Sequence, residues 1–425
     1  MKIACIGTGF VGVVTSVVFA SFGHEVAGLD IDQKKIDSLS RGEVHFFEPG
    51  LKKLLKNTLA KGHLLFTTSY QKAITDAEII FIMVGTPSAP DGQADLKYVF
   101  STAKSLAPYL KNGAIVVIKS TVPPGTNKKI EQIIKGKTDI NFTTASVPEF
   151  LREGTAVEDT LHPARTIIGA TDKKTINILS QLHRPLTSNI IIMKPESAQM
   201  TKYASNTYLA TRITFINQIA DLCEKNGADV QEVVTGMGQD PRIGEHYWYP
   251  GFGYGGSCFP KDVSELAAYS RAVGESNNLM NKVHELNQTR ISYLMSKFGQ
   301  KVGGWQGKQV AILGLSFKPN TDDTREAPGL SVVSYLLEQK TKVMGYDPRA
   351  VWPQKNAGFS QQRNIEAAVI DADVIIVLVE WPEIISFDFS KTKTIKPQFF
   401  IDGRSQFDPA TIKSWGYTYL GIGRG

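Results

Sequence analysis

A chain of 425 residues is longer than one hydrophobic core ordinarily serves, so two or three domains are expected. Its 42% hydrophobic and 21% charged fractions belong to a folded globular protein, and no apolar run is long enough to cross a bilayer. The net charge of +6 arises from 47 basic and 41 acidic residues with no dense Lys/Arg stripe and no basic–aromatic interleaving, which argues against a nucleic-acid partner and suits a small anionic ligand. Cys5, Cys223 and Cys258 are too few and too scattered for a disulfide framework or a metal cluster. No metal and a reducing, cytoplasmic compartment are therefore expected, and because the chain opens on a strand-like run no leader is expected either.

In chain order, the apolar Lys2–Ile6 reads as a buried strand and runs into Gly7-Thr8-Gly9-Phe10-Val11-Gly12. After a strand and before a helix, those glycines permit a tight turn, close approach of a pyrophosphate and close helix packing, with the helix N-terminus supplying a positive field. The next strand ends at Asp30, placed to accept from the adenosine ribose hydroxyls. Ile31-Asp32-Gln33 offers no arginine for a 2′-phosphate, so the dinucleotide expected is NAD, with Lys35 near its adenosine side. Later strands end in polar turns at Gly85-Thr86-Pro87, at Lys119 to Gly125 and at Pro148-Glu149, where a ligand of an open α/β sheet lies. Thr86 and Thr121 are candidates to meet the nicotinamide ribose or a reacting water.

From about Glu196 to Phe298 the periodicity is helical, with almost no strand signal. Met200, Tyr203, Ala204, Thr207, Tyr208 and Thr211 are expected on one face of a long helix, continued by Phe215, Ile219 and Leu222. Lys202 and Asn206, spaced i, i+4, project together from it. Beyond lies an echo of the first region: Gln309–Gly314, Thr341–Asp347 and Asp371–Val379 repeat the order of Lys2–Gly7, His24–Asp30 and Asp76–Val84. The expected architecture is α/β: two Rossmann-like, doubly wound parallel-sheet domains (1–196 and 301–425) joined by a long central helix and a helical middle domain (197–300). In the second copy the middle glycine is replaced by Ser316, and no glycine follows at the third position. Lys318, Arg325 and the later Arg404 bring cations to that edge, suiting a phosphorylated ligand other than the dinucleotide.

Within the middle segment, Gly251 to Asp262 is glycine-rich and leads into a helix, with Pro260 expected at its first position. Cys258 stands just before that helix, where the dipole favours thiolate; Lys261 adds charge and Asp262 faces the same way. Cys5 and Cys223 read instead as small buried side chains.

These segments together resemble the UDP-glucose 6-dehydrogenase family, within the wider UDP-glucose/GDP-mannose dehydrogenase superfamily, over nearly the whole chain. The resemblance rests on the glycine fingerprint, Glu48-Pro49-Gly50-Leu51, Ser120 to Thr126, Pro148 to Gly154, Gly255 to Asp262 and Phe317 to Arg325. It implies a four-electron oxidation of UDP-glucose by two NAD through a thiohemiacetal and thioester on Cys258. Lys202 would stabilise the oxyanion, and Asp262, Asn206 and Thr121 would hold the reacting water. Glu149 and Glu153 match paired glutamates whose division of labour stays open, one in hydrolysis and one near the nicotinamide. Phe150, Leu151 and Gly255 fall within the substrate segments. Lys318, Arg404 and Tyr249 would receive the UDP-sugar, Arg325 the cofactor pyrophosphate, and Arg242 the sugar of a neighbouring subunit, which implies a homodimer or higher homo-oligomer. The cofactor set is completed by Gly7, Gly9, Phe10, Val11, Gly12, Asp30, Lys35 and Thr86. GDP-mannose or another nucleotide sugar is the alternative substrate; neither nucleic acid nor membrane is expected as a partner.

Overall fold

The computed structural model describes residues 1–354, 356–392 and 398–424. The chain divides into two compact units, Met1–Ser205 with Glu265–Gly274, and Asn206–Ser264 with Glu275–Gly425.

The first unit is built on an eight-stranded sheet of β1 (Lys2–Ile6), β2 (Glu25–Leu29), β3 (Leu64–Thr67), β4 (Ile79–Ile82), β5 (Ala114–Ile118), β6 (Phe142–Ser146), β7 (Thr166–Gly169) and β8 (Ile190–Met193), in the order β3-β2-β1-β4-β5-β6-β7-β8. Every residue of β4 and β5 is buried, which is why these strands read as unbroken apolar runs rather than alternations. Successive side chains feed opposite faces. Ile3, Cys5, Ile79, Phe81, Ile115 and Val117 enter one core, while Ala4, Ile6, Ile80, Ile82, Val116 and Ile118 enter the other. The sheet is thus covered on both sides, as a doubly wound fold requires.

The last two strands depart from the parallel expectation. β7 pairs antiparallel with β6, and β8 then runs parallel to β7. Each has four residues, and β8 closes an edge with Ile191 and Ile192 largely exposed. Runs that short carry too little periodicity to be seen before pairing is known.

The second unit holds a six-stranded, wholly parallel sheet: β9 (Gln309–Leu313), β10 (Lys342–Tyr346), β11 (Phe359–Gln361), β12 (Val374–Val377), β13 (Phe399–Asp402) and β14 (Thr418–Gly421), in the order β11-β10-β9-β12-β13-β14. That order reproduces the first six strands of the other sheet, so the echo in the sequence is a structural repeat. No strand falls between Glu196 and Phe298; this stretch forms the helices Pro195–Asn226, Val230–Gly238, Phe259–Ala272 and Leu279–Lys301.

The long helix Pro195–Asn226 corrects the single apolar face expected of it. Lys202, Tyr203, Asn206 and Thr207 are buried, whereas Tyr208, Phe215 and Leu222 are 61%, 47% and 57% exposed. The two sets lie on opposite faces, which an apolar–polar tally does not separate because both contain aromatic residues. Lys202 and Asn206 therefore belong to the buried face.

Cys5 and Cys223 are buried as expected, and burial pushes the Cys5 thiol up to about 12. His183 is buried beside Phe19, its Nδ1 paired with the Leu179 carbonyl at 2.8 Å. Burial, with Lys119 nearby, depresses it to about 4. Because the folded value lies below the unfolded one, the unfolded chain takes up a proton that the native chain refuses. Stability contributed by this site is complete above about pH 6.5 and falls as pH drops toward about 4, by on the order of 2–3 kcal/mol. Denaturant titrations of His183→Leu between those limits are expected to show a shallower acid loss than the parent chain.

Candidate active site

The turn after β1 is shaped by two glycines with different tasks. Gly7 has φ +99°, a left-handed value that suits glycine alone. A Cβ on Gly12 would run into the Gly7 carbonyl oxygen, so Gly12 brings the helix Phe10–Ser21 down onto the strand. Gly9 differs: its φ of −71° suits any residue, and a Cβ there meets nothing within 4 Å. The space it leaves is open to a ligand, above a helix start that no side chain caps. Asp30 accepts from the Thr8 amide and hydroxyl, both at 2.8 Å, through one oxygen, and from Asp32 N at 3.1 Å through the other. Burial works against its charge, but these bonds and Lys35 prevail and hold its carboxyl below the usual range. Half-buried and ionised, it keeps lone pairs for ribose hydroxyls. These features fit a dinucleotide. Phe10 packs on Phe46 with ring centroids 4.6 Å apart, and Val11 joins the core on that face.

The repeat in the second unit keeps this latch but closes it. Gly314 has φ +97°, and Asp347 accepts from Leu315 N at 2.8 Å and Ser316 N at 2.9 Å. The same oxygen takes the Ser316 hydroxyl at 2.9 Å and the Trp381 indole N–H at 3.3 Å, while the other accepts from Arg349 N and Ala350 N. A carboxylate so occupied, under a buried tryptophan, has nothing left for a ribose. The expectation that the third glycine is lost is corrected. Gly329, at the start of the helix Pro328–Glu338, would bring a Cβ to 3.3 Å from the Gly314 carbonyl oxygen and so plays the part of Gly12. It is displaced along the chain because the loop 317–327, with Lys318 and Arg325, is inserted between turn and helix.

At the strand ends of the first unit, polar groups tie one turn to the next. Thr86 donates to the Thr121 carbonyl at 3.0 Å, and Ser120 to the Val84 carbonyl at 2.7 Å. Gln199 accepts from Gly125 N at 3.0 Å, linking the Thr121 turn to the long helix. One turn on, Lys202 pairs with Glu149 at 2.9 Å, both side chains buried. The other Glu149 oxygen accepts from Leu151 N at 2.9 Å, and Phe150 sets its ring 5.4 Å from the Lys202 ammonium. Glu153 is also buried. Glu48 fixes the loop after it by accepting from Gly154 N and Ala156 N, each at 2.7 Å, a physical role for the Glu48–Leu51 motif. Lys119 is a buried cation beside this pair. Desolvation depresses it to about 8, against Glu149 and Cys5, which favour its charge, and with Lys202, which opposes it.

In the second unit, Asn206 donates to Asp262 at 2.6 Å, and Lys261 contacts the other carboxylate oxygen at 2.7 Å. Cys258 is exposed. The helix begins at Phe259, one residue ahead of the position expected from Pro260, because Asp262 N already donates to the Cys258 carbonyl at 2.8 Å. Cys258 therefore occupies the N-cap, where the helix field favours an anion. A Cβ on Gly255 would strike the Glu326 carbonyl oxygen. Arg404 is gripped by Glu380 at 2.6 and 2.8 Å. Burial opposes its charge, but Glu380 outweighs that and raises its pKa, with Tyr249 facing the same cation. Glu380 is partly buried and held below its ordinary range by Arg404 and Lys318 despite desolvation. Arg242 and Arg325 instead lie in exposed forks with Asp240 and Asp323, at 2.7 and 2.6 Å. Glu380 and Trp381 were not singled out from sequence, and Glu48 and Lys119 entered only as members of motifs; what each does is recognisable only through its partner. Among the described residues no three His, Cys, Asp or Glu side chains gather to hold a metal.

The chain is similar to known proteins along its whole length. Residues 1–187 match the NAD binding domain of the UDP-glucose/GDP-mannose dehydrogenase family, 196–289 its central domain and 311–409 its UDP binding domain. The chain is 42% identical to UDP-glucose 6-dehydrogenase YwqF of Bacillus subtilis, over all of this chain and 98% of the relative. It is 39% identical to a UDP-glucose 6-dehydrogenase of Pseudomonas aeruginosa, over all of this chain and 98% of that one. A UDP-glucose dehydrogenase structure from Pyrobaculum islandicum superposes with a TM-score of 0.92 at 34% identity, covering 100% of this chain and 98% of the other.

The two glycines are separable by experiment. Gly9→Val is expected to melt with the parent chain in the absence of cofactor yet to bind NAD at least tenfold more weakly, roughly the loss of one close phosphate contact. Gly12→Ala is expected to lower the melting temperature without cofactor. Calorimetric titration and thermal melts check both, and a Gly9→Val chain with parental NAD affinity contradicts the assignment.

Proposed function

The chain belongs to the UDP-glucose/GDP-mannose dehydrogenase family, and from that premise we propose that it oxidises UDP-glucose at C6 to UDP-glucuronate by four electrons. The observation that carries this reading is the exposed Cys258 at the N-cap of a helix, with the Asn206–Asp262 pair on the same unit. An enzyme that stops at a carbonyl has no use for a thiol so placed. The substrate is assigned from the names of the relatives and from the second unit's closed latch, which refuses a dinucleotide and leaves Lys318 and Arg404 to a different phosphorylated ligand.

NAD, when bound at the open latch by Gly9, Asp30 and neighbours, supplies the acceptor for each hydride. Asp262, hydrogen-bonded by Asn206, holds with Thr121 the water that takes the C6 hydroxyl proton as the alcohol becomes an aldehyde. The Cys258 thiolate adds to that aldehyde, and Lys202 stabilises the alkoxide that results. Loss of a second hydride from the same carbon leaves a thioester on Cys258. Water then adds to the thioester carbonyl, the thiolate departs, and the sugar leaves as a carboxylate. Glu149, paired with Lys202 in the resting chain, is the group through which Lys202 is oriented, and of Glu149 and Glu153 one serves the hydrolysis and the other the nicotinamide side. Phe150, Leu151, Gly255, Tyr249, Lys318 and Arg404 receive the UDP-sugar, and Arg325 the cofactor pyrophosphate. The functional division is 1–196 for cofactor, 197–300 for the cysteine and assembly, and 301–425 for the nucleotide sugar.

A homodimer belongs to the same reading. Tyr208, Phe215 and Leu222 recur every seven residues on the exposed face of the long helix, an apolar stripe suited to a second copy, and Arg242 is free to reach a neighbour's sugar once its Asp240 fork opens. A cytoplasmic setting accords with three cysteines that form no disulfide among the described residues.

With excess NAD, two NADH are expected per UDP-glucose consumed; one would mean that the reaction stops at the aldehyde. Cys258→Ala is expected to form no glucuronate while binding UDP-glucose within about threefold of the parent, and normal turnover by it sinks the thioester route. Phe215→Glu is expected to shift the sedimentation coefficient to that of a monomer.

A further inference from the structure

The segment from Gly251 to Cys258 has no regular secondary structure and contains glycine at 251, 253, 255 and 256. Gly253 and Gly256 sit at φ +98° and +84°. Left alone, so glycine-rich a stretch samples many conformations. Its backbone is nevertheless held at several points. Gly251 N–H donates to Asn217 Oδ1 at 2.8 Å, and the Gly251 carbonyl accepts from Arg290 Nε at 3.1 Å. Tyr254 N–H donates to Asn287 Oδ1 at 2.9 Å, and Asn287 Nδ2 donates back to the Tyr254 carbonyl at 3.0 Å. Gly256 N–H donates to the Arg325 carbonyl at 3.2 Å.

Several of these anchors come from one helix face. Val283, Asn287, Arg290 and Leu294 follow one another at steps of four, three and four along the helix Leu279–Lys301, a single stripe. Val283 packs in a small apolar cluster with Tyr254 and Val263. Asn287 takes both backbone groups of Tyr254, Arg290 takes the Gly251 carbonyl while paired with Asp221, and Leu294 enters the main core. A carboxamide offers the same donor and acceptor as a peptide, so Asn287 stands in for a neighbouring strand. Its Oδ1 also lies 2.5 Å from where a Gly253 Cβ would be, so the glycine and the asparagine are matched to each other. Cys258 stands exposed at the end of this segment.

We propose that Asn287 is a positioning residue for Cys258, its two-point clamp on Tyr254 setting the loop that presents the thiol. The proposal rests on the reading of Cys258 as nucleophile. A loop released at Tyr254 keeps its anchors at Gly251 and Gly256, so the fold and the nucleotide sites survive while the thiol's position broadens. Misplacement of a reacting group by about 1 Å costs on the order of a hundredfold in rate.

The test compares the parent chain with Asn287→Ala, which removes both bonds, and Asn287→Asp, which keeps the acceptor and loses the donor. Three quantities are read: the melting temperature, the rate at which iodoacetamide alkylates Cys258 without substrates (followed by mass spectrometry), and kcat and KM. For Asn287→Ala the alkylation rate is expected to change at least threefold and kcat to fall about tenfold or more, with both KM values within about twofold. Asn287→Asp is expected to fall between it and the parent. Parental alkylation and kcat in Asn287→Ala overturn the proposal, as does a loss of turnover matched by an equal loss of folded protein. Should Asn287→Ala fail to fold, Asn287→Asp decides by the same comparison. If the parent chain does not oxidise UDP-glucose, the functional reading fails, while the alkylation rates still decide whether Asn287 places the thiol.

Discussion

A doubly wound sheet covered on both faces leaves its central strands open only at their carboxyl ends, and the turns of both units are arranged by that constraint. In the first unit the central strands are buried along their whole length, with alternate side chains committed to two separate cores. The residues Gly9, Thr86, Thr121 and Glu149 stand in the turns that follow these strands, where an open α/β sheet takes its ligand. The second unit repeats the strand order and obeys the same rule, with Lys318 after β9 and Arg404 after β13.

One latch, used twice, shows how little must change for a repeated fold to take different ligands. In both units a left-handed glycine ends the first strand, and an aspartate at the end of the second strand caps the amides that follow. Asp30 retains free acceptor capacity. Asp347 spends its own on Ser316, Trp381 and local amides, and the helix start beyond it is pushed away by an inserted loop. The packing glycine survives the insertion as Gly329 because the contact it makes, helix against strand turn, is needed whether or not a ligand is bound.

Charge inside both units is handled by pairing. Lys202 with Glu149 is a buried pair, and Arg404 with Glu380 a partly buried one, whose partners would be costly to leave alone away from water. Such pairs are poor sources of stability and good sources of orientation, since each fixes where a cation points. Lys119 is the exception: it is buried beside Glu149, and desolvation outweighs that partner and depresses it to about 8.

What the linear chain determined by itself is whatever depends on local spacing. The two βαβ series, the turn glycines, Asp30, the helical middle and the helix that starts after Cys258 are all written in periodicity and in residues with unusual backbone needs. Tertiary structure alone decided what depends on partners far apart in the chain: the reversed β7 and β8, the division of the long helix into a buried and an exposed face, the grip of Glu380 on Arg404, the closing of the second latch by Trp381, and the clamp of Asn287 on Tyr254. A glycine with positive φ leaves a mark at its own position. A hydrogen bond between residues 33 apart leaves none, because neither residue type is unusual until the fold brings them together.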